Sequence, residues 1–416
     1  MKQRLFTRNF TLLILGQVSS LVGNYTLKFA LSMYVLEQTG SAAVFAGLLA
    51  AALLPTIFLS PFGGVLADRA DRRKVMVALD LLSGAAVWGA GVLLPRGREL
   101  LVIGGLLVVL SVLAAFESPT VQACIPQMLS GENLLKGNAV VAQVQALTGL
   151  VTPFLGSVAY TAWGLRPVLW GTVGCFFLTA LLECLLRLER QKPLPSAGLA
   201  AMIREDFARS IRFLRREQPA LCKLLLLAAL ASLFIAGTVV VGFPFLVRTV
   251  LGLSPEHYGA AESAMGVAAI LGSLVVGVLG QKFRLGWLAW VFAGVGLSLI
   301  PAGLAFLLPL GTLGAYAVLL GMFSLCQFGC CLFSTYAVSV IQQHTPEHLM
   351  GKIMACVFTL STCAQPVGQM LYGAWFDRFA HQPGWVLLPT GLAVLGIGLA
   401  SVRFFAALEQ TAPAEE

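Results

Sequence analysis

The sequence predicts an all-α membrane protein of twelve transmembrane helices in two six-helix, pseudo-symmetric bundles, and three observations predict it. Apolar residues come in runs of about twenty or more, the length at which a helix rising about 1.5 Å per residue crosses a hydrocarbon core of about 30 Å. With the N-terminus placed inside, 21 of the 27 Lys and Arg residues fall on one side and five on the other, while Lys28 lies within a span. That is the sorting expected when cations in short loops are kept in the cytoplasm. Landmarks of the first half also return in the second at a near-constant offset. A chain that is 58% hydrophobic and 11% charged has too few polar groups to cover a soluble surface. Its net charge of +8 sits in short loops between apolar runs, which argues for membrane orientation and against nucleic acid.

The twelve apolar segments run over 9–37, 42–67, 75–95, 99–120, 138–162, 166–187, 222–249, 257–280, 286–308, 310–338, 351–376 and 384–407. The opening MKQRLFTR resembles the start of a secretory signal. The apolar run after it continues for a full span without a small-residue cleavage site, which predicts an uncleaved first helix. Residues 1–190 form the first bundle, 191–221 a cytoplasmic linker and 222–416 the second bundle, with both termini cytoplasmic. In the linker, Pro193 and Pro195 precede Phe207, Ile211 and Leu214 at helical spacing, with Arg204, Arg212, Arg215 and Arg216 elsewhere on the helix. An interfacial helix against anionic headgroups and a solvated linker helix both fit.

Between segments two and three lies GGVLADRADRRK, residues 63–74, with six ionisable groups in the seven positions from Asp68 to Lys74. The internal repeat is visible by subtraction. Gly40 and Gly47 recur as Gly252 and Gly259 at an offset of 212. Gly64 recurs as Gly277 and Pro153 as Pro366 at 213, and Glu132 as Glu347 at 215. Parallel six-helix repeats place a substrate site near mid-membrane between them.

The hinge resembles the loop signature of the major facilitator superfamily, G-x-x-x-D-R-x-G-R-R-x, through Gly64, Asp68, Arg69, Arg72 and Arg73, with Asp71 where that family has glycine. The stretches RNFTLLILGQVSSLVG, LEQTGSAAVFAG, FESPTVQACIPQML and TPEHLMGKIMACVFTLSTCAQPVG are similar to its macrolide-efflux and siderophore-exporter branch. The resemblance implies the major facilitator fold, a multi-pass protein of the bacterial inner membrane, and transport. It also implies a cytoplasmic latch in which Asp68 faces the N-terminus of segment eleven, where free N–H groups and the helix dipole favour an anion. Arg72 or Arg73 is expected to pair with Glu117, placed near the cytoplasmic end of segment four.

Ionisable groups inside spans are costly and mark function. Gln17, Asn24 and Lys28 share one face of segment one, which lines the cavity in this superfamily. Lys28 has three open readings: a hold on an anionic substrate, a partner for Glu262, or snorkelling to the outer interface. Glu262 is the candidate proton carrier, against a structural hydrogen bond as the plainer role. Asp80 and Glu183 are expected to belong to the cytoplasmic ends of their spans. In segment five, Gly149, Pro153 and Gly156 partly match the superfamily's antiporter signature, and in segment eleven Gln365 and Gln369 flank Pro366. Helix packing explains these small residues equally well.

Other chemistries find no footing. The nine cysteines lack paired metal spacing, and Pro346 between His344 and His348 argues against one ligating face. No phosphate-cradling loop is present, so neither an enzyme nor ATP hydrolysis is predicted, and no cofactor, metal or nucleic-acid partner. The expectation is a monomer in the lipid bilayer that exports an amphipathic or hydrophobic small molecule against a proton gradient. The alternatives are a uniporter or importer of an anionic metabolite, or a non-transporting receptor or scaffold.

Overall fold

The computed structural model describes residues 5–94, 97–130, 132–188, 219–279, 286–343, 345 and 347–411. The amphipathic linker helix expected over 204–216 lies outside them. The first half supplies α1 (Arg8–Thr39), α2 (Ala42–Arg69), α3 (Arg72–Leu93), α4 (Glu99–Met128), α5 (Glu132–Trp163) and α6 (Leu165–Cys184). The second supplies α7 (Pro219–Ile235, continued by π-helical turns Ala236–Gly242 and Leu246–Val250), α8 (Pro255–Leu279) and α9 (Trp287–Leu304). It ends with α10 (Gly311–Gln343), α11 (Glu347–Arg378) and α12 (Gly384–Thr411). Among the described residues, eleven helices are long and apolar enough to cross a membrane. The more polar α11, at 32 residues, completes the twelve.

The local signals explain where helices start and stop. Thr7 Oγ1 accepts from Phe10 N at 3.3 Å and opens α1. Gly40 (φ +59°) closes α1 and its repeat Gly252 (φ +64°) closes the α7 stretch, both in the left-handed conformation that glycine adopts without strain. A further pair, Gly97 (φ +77°) just before α4 and Gly311 (φ +67°) at the first position of α10, extends the repeat at an offset of 214. Asp71, the departure from the family signature, has extended backbone and caps α3, its carboxylate accepting from Lys74 N at 3.3 Å. No positive φ is needed there, so glycine is not required. Asp71→Ala is expected to cost about 1 kcal/mol, the usual value of a helix cap, read as a lower thermal midpoint with unchanged helix content.

Several spans run past their apolar segments. α4 reaches Met128 instead of ending near residue 120, α5 starts at Glu132 and α11 at Glu347. The reason for α4 is packing: Val121, Cys124, Ile125 and Leu129 are buried with Phe10, Leu13, Met76, Val141 and Leu186. This layer collects the start of α1 and α3, the end of α4 and α6, and the first turns of α5. It fixes one end of these helices as the hinge end, where Ala70 and Asp71 join α2 to α3.

The helices gather into two compact units. One comprises Met1–Thr39, Leu48–Pro195 and Ser254–Ser263; the other comprises Gly40–Gly47, Ser196–Leu253 and Ala264–Glu416. The start of α2 therefore groups with the C-terminal half of the sequence, and the start of α8 with the N-terminal half. In the first unit α1 packs on α5 and α6, and α3 on α4 and α6; in the second, α9 packs on α10 and α12, and α7 on α11. The last of these is especially close: a Cβ on Gly368 of α11 would stand 2.1 Å from the carbonyl oxygen of Leu233. Glycine is what lets the two backbones meet.

Candidate functional site

The hinge was expected to pair its arginines with Glu117, and the structure corrects this. Arg72 Nε donates to Ala67 O at 2.7 Å and its Nη1 to Ala123 O at 2.8 Å, while Arg73 donates to Cys184 O. These carbonyls lie in the last turns of α2, α4 and α6, where the helix dipole favours a cation. Glu117 is out of place for this role because α4 continues eleven residues beyond it, about 16 Å of helix. The side chains of Asp68 and Arg69, and the surroundings of Gly64, lie outside the described residues.

Glu117 joins a different group, deep in the first unit. Its Oε1 accepts from Ser20 Oγ at 3.5 Å, and the Lys28 ammonium attracts it electrostatically. Asp80 and Glu183, both fully buried at 0% and 1% exposure, interact with each other and with Glu117. Both carboxylate oxygens of Asp80 and Oε2 of Glu183 are sealed from solvent without a hydrogen-bond partner. Helical rise orders these groups above the packed layer at Phe10, Met76, Ile125 and Leu186. Glu183 and Asp80 come at about 5 Å, Glu117 and Ser20 at about 12–15 Å, and the Lys28 backbone near 27 Å. Asp80 and Glu183 thus stand near the hinge ends of their spans, as expected, but both are buried inside the unit instead of joining the charged loop. An acid standing alone in an apolar run was the available signal, and nearness to the hinge cations obscured it. On the polar face of α1, Gln17 is buried, Asn24 half-buried with Oδ1 unpartnered, and Lys28 exposed.

Glu262 does not take Lys28 as its partner; the groups acting on it and on Lys28 are distinct. The Tyr258 hydroxyl, one turn earlier on α8, hydrogen-bonds the Glu262 carboxyl group. Tyr258 in turn stacks on Phe29 of α1, ring centroids 5.4 Å apart. Two contacts hold this turn of α8 against α5. Ser263 Oγ donates to Leu150 O at 2.8 Å, and a Cβ on Gly259 would meet Ser157 Oγ at 2.4 Å and Pro153 O at 2.7 Å. The proline and small residues of α5 therefore serve close packing here. Gly156 is bounded by Phe29, while Gly149 has open space beside it.

In the second unit, Asp377 at the end of α11 closes on the start of α2. Ser41 Oγ donates to its carboxylate at 2.5 Å, Ala42 N at 2.6 Å and Ala43 N at 3.1 Å. A carboxylate here meets free N–H groups and the positive end of the helix dipole together. This clasp sits at the end of α2 opposite the hinge. Sequence reading passed over it because Asp377 stands beside Arg378 in a short loop, where a charge needs no explanation. In α11, Gln365 is half-buried, and Gln369 is buried with its Oε1 unpartnered. A cleft of about 420 Å³ between α9 and α10 is apolar, lined by Val291, Leu297, Ser298, Met322, Leu325 and Phe328 among others. Cys326 and Cys330 stand 4.0 Å apart, Sγ to Sγ, as free thiols. Among the described residues no three His, Cys, Asp or Glu side chains converge to hold a metal ion.

Residues 13–368 match the family described as Major Facilitator Superfamily. The chain belongs to this superfamily. It is accordingly a multi-pass membrane transporter and not an enzyme. Macrolide efflux protein A of Streptococcus pyogenes is 25% identical over 384 residues, 91% of this chain and 92% of that protein. Multidrug efflux pump Tap of Mycolicibacterium fortuitum is 25% identical over 398 residues, 93% of each. Among solved structures, a bacterial homologue of the iron transporter ferroportin in an inward-facing state superposes with a TM-score of 0.72 at 19% identity. It covers 95% of this chain and 98% of that one. At that identity the likeness speaks for the fold alone.

Proposed function

We propose that this superfamily member is a proton-driven exporter of amphipathic or hydrophobic small molecules, of macrolide, drug or siderophore type, in a bacterial inner membrane with both termini cytoplasmic. The observation that carries the reading is the end-to-end similarity to two efflux pumps, each matched over more than nine-tenths of its length. Glu262 is the residue for the coupled proton. A carboxyl group inside a span, hydrogen-bonded to a tyrosine hydroxyl, can take up and release a proton. Gln17, Asn24 and Lys28 of α1, with Gln365 and Gln369 of α11, are the polar contacts offered to substrate.

Transport proceeds by alternating access, and the fasteners stand at the two ends of α2: the hinge with Asp68 at one, the Asp377 clasp at the other. Each must open as its end of the transporter opens, so each biases a two-state equilibrium. The charge of Lys28 within a span favours one second reading, passage of an anionic metabolite.

The test is proton movement in energised inside-out vesicles, on addition of a macrolide, a lipophilic cation and a catecholate siderophore in turn. Release of the proton gradient by one compound, lost in Glu262→Gln, supports export. Silence of the whole panel, with an anion equilibrating down its own gradient, replaces it with the anion reading.

A further inference from the structure

We infer that Asp80, Glu117 and Glu183 form a second proton-carrying site, inside the first unit and separate from Glu262, that leads from mid-span towards the hinge end. The inference rests on the proton-driven reading for its use in transport, but the occupancy of the site stands on the structure alone.

The cluster is assembled from three helices. α3 supplies Asp80, α4 supplies Glu117 and α6 supplies Glu183. The neighbouring groups on the elements packed around it are Ser20 and Lys28 of α1, Cys124 of α4, and Arg72 of α3. Arg72 is engaged with the carbonyls of Ala67 and Ala123, and Lys28 acts on Glu117. With Arg72 turned to carbonyls and Lys28 acting on Glu117, the sealed pair Asp80 and Glu183 would hold excess negative charge where water does not reach, which is strongly disfavoured. A proton removes one charge and supplies the donor that Asp80 and Glu183 lack.

A second observation points to that missing donor independently of the clustering. Asp80 is 0% exposed with neither oxygen hydrogen-bonded, and Glu183 Oε2 is in the same condition. Buried carboxylate oxygens without a donor are rare in proteins. One proton, bonded to either residue and donated towards the other, would turn two opposed acceptors into a hydrogen bond.

Exposure also grades along the cluster. Lys28 is exposed, Glu117 half-buried, and Asp80 and Glu183 fully buried. A proton delivered to Glu117 from the open side of α1 passes to Asp80 and then to Glu183, near the end of α6, and leaves at the hinge end. Each transfer moves one proton from a carboxylic acid to a carboxylate, so charge and atoms balance at every step. Lys28 sets the entry: its ammonium acts on Glu117, and a substrate that draws Lys28 away changes the charge that Glu117 meets as it takes up the proton.

The test uses the full-length protein in nanodiscs and infrared difference titration of the protonated-carboxyl carbonyl band between pH 5 and 9, with Asp80→Asn, Glu183→Gln and Glu262→Gln. The expected result is a titrating band that loses intensity in Asp80→Asn and in Glu183→Gln, and retains that share in Glu262→Gln. If one variant fails to fold, as judged by size exclusion, the other decides. Spectra of the folded Asp80 and Glu183 variants identical to the parent overturn the site. So does disappearance of the band on adding sodium chloride at fixed pH, which would make a sodium ion the occupant. In vesicles, each variant should reduce substrate-driven proton movement at least ten-fold. A silent substrate panel alongside a positive infrared result overturns the export reading and leaves the proton site standing.

Discussion

Exchange of Asp377 for alanine is expected to release the first turn of α2 and shift the transporter towards the state in which that end is open. Three donors lose their acceptor at once: Ser41 Oγ, Ala42 N and Ala43 N, at 2.5, 2.6 and 3.1 Å. Hydrogen bonds to a carboxylate are worth about 1.5–3 kcal/mol where the freed donors stay dry. Here water reaches part of the turn, because Ser41 and Ala43 are only half-buried, so an overall loss of about 2 kcal/mol is the reasonable figure. If that loss falls on one state alone, the two-state ratio moves about 30-fold. The reading is thiol accessibility of Val44→Cys, with the transport rate measured in parallel. Labelling should accelerate and turnover should fall in Asp377→Ala, while Asp377→Asn, which keeps one acceptor oxygen, should lie between. Unchanged labelling and turnover in the alanine variant would show that the clasp is only a helix cap.

The second large effect is expected at Glu262. Glu262→Gln keeps size and hydrogen bonding but removes the carboxyl group proposed as the proton carrier. Substrate-driven proton movement should fall at least a hundred-fold, since the proton then has no acceptor at position 262 and the Asp80–Glu183 site alone does not replace it. Downhill exchange of substrate, which needs no net proton, should survive. Tyr258→Phe separates carrier from support: loss of the hydroxyl that bonds Glu262 should alter the pH profile of transport and leave the proton stoichiometry intact. Full coupling in Glu262→Gln would move the carrier role elsewhere in the chain, with Asp80 and Glu183 the next groups to examine.

Both effects depend on where charged groups meet, and here sequence and structure contribute differently. The hinge cations were visible as a charge run, yet their use was not. They complete the carbonyl ends of α2, α4 and α6 instead of meeting Glu117, because α4 extends to Met128 through residues whose burial depends on α1, α3 and α6. Asp71 was the one mismatch in the loop signature, and its role as a cap became clear only from the extended backbone that presents it to Lys74 N. Lys28 and Glu262 were both flagged correctly as charges within spans, but helix rotation gives Lys28 the field of Glu117 and gives Glu262 the hydroxyl of Tyr258.

The sequence by itself determined that this is a twelve-span protein of two repeated halves in the Major Facilitator Superfamily. Span length, cation placement and glycine spacing are local properties, and they add along the chain without reference to what packs against what. Only the tertiary structure decided which polar groups share a site. Asp80, Glu117 and Glu183 are separated by tens of residues and come together because α3, α4 and α6 turn those positions to a common interior. Asp377 meets α2 across more than three hundred residues of chain. Each such meeting depends on the rotation and overrun of helices, set by packing among spans that are all equally apolar, and hydropathy is blind to both.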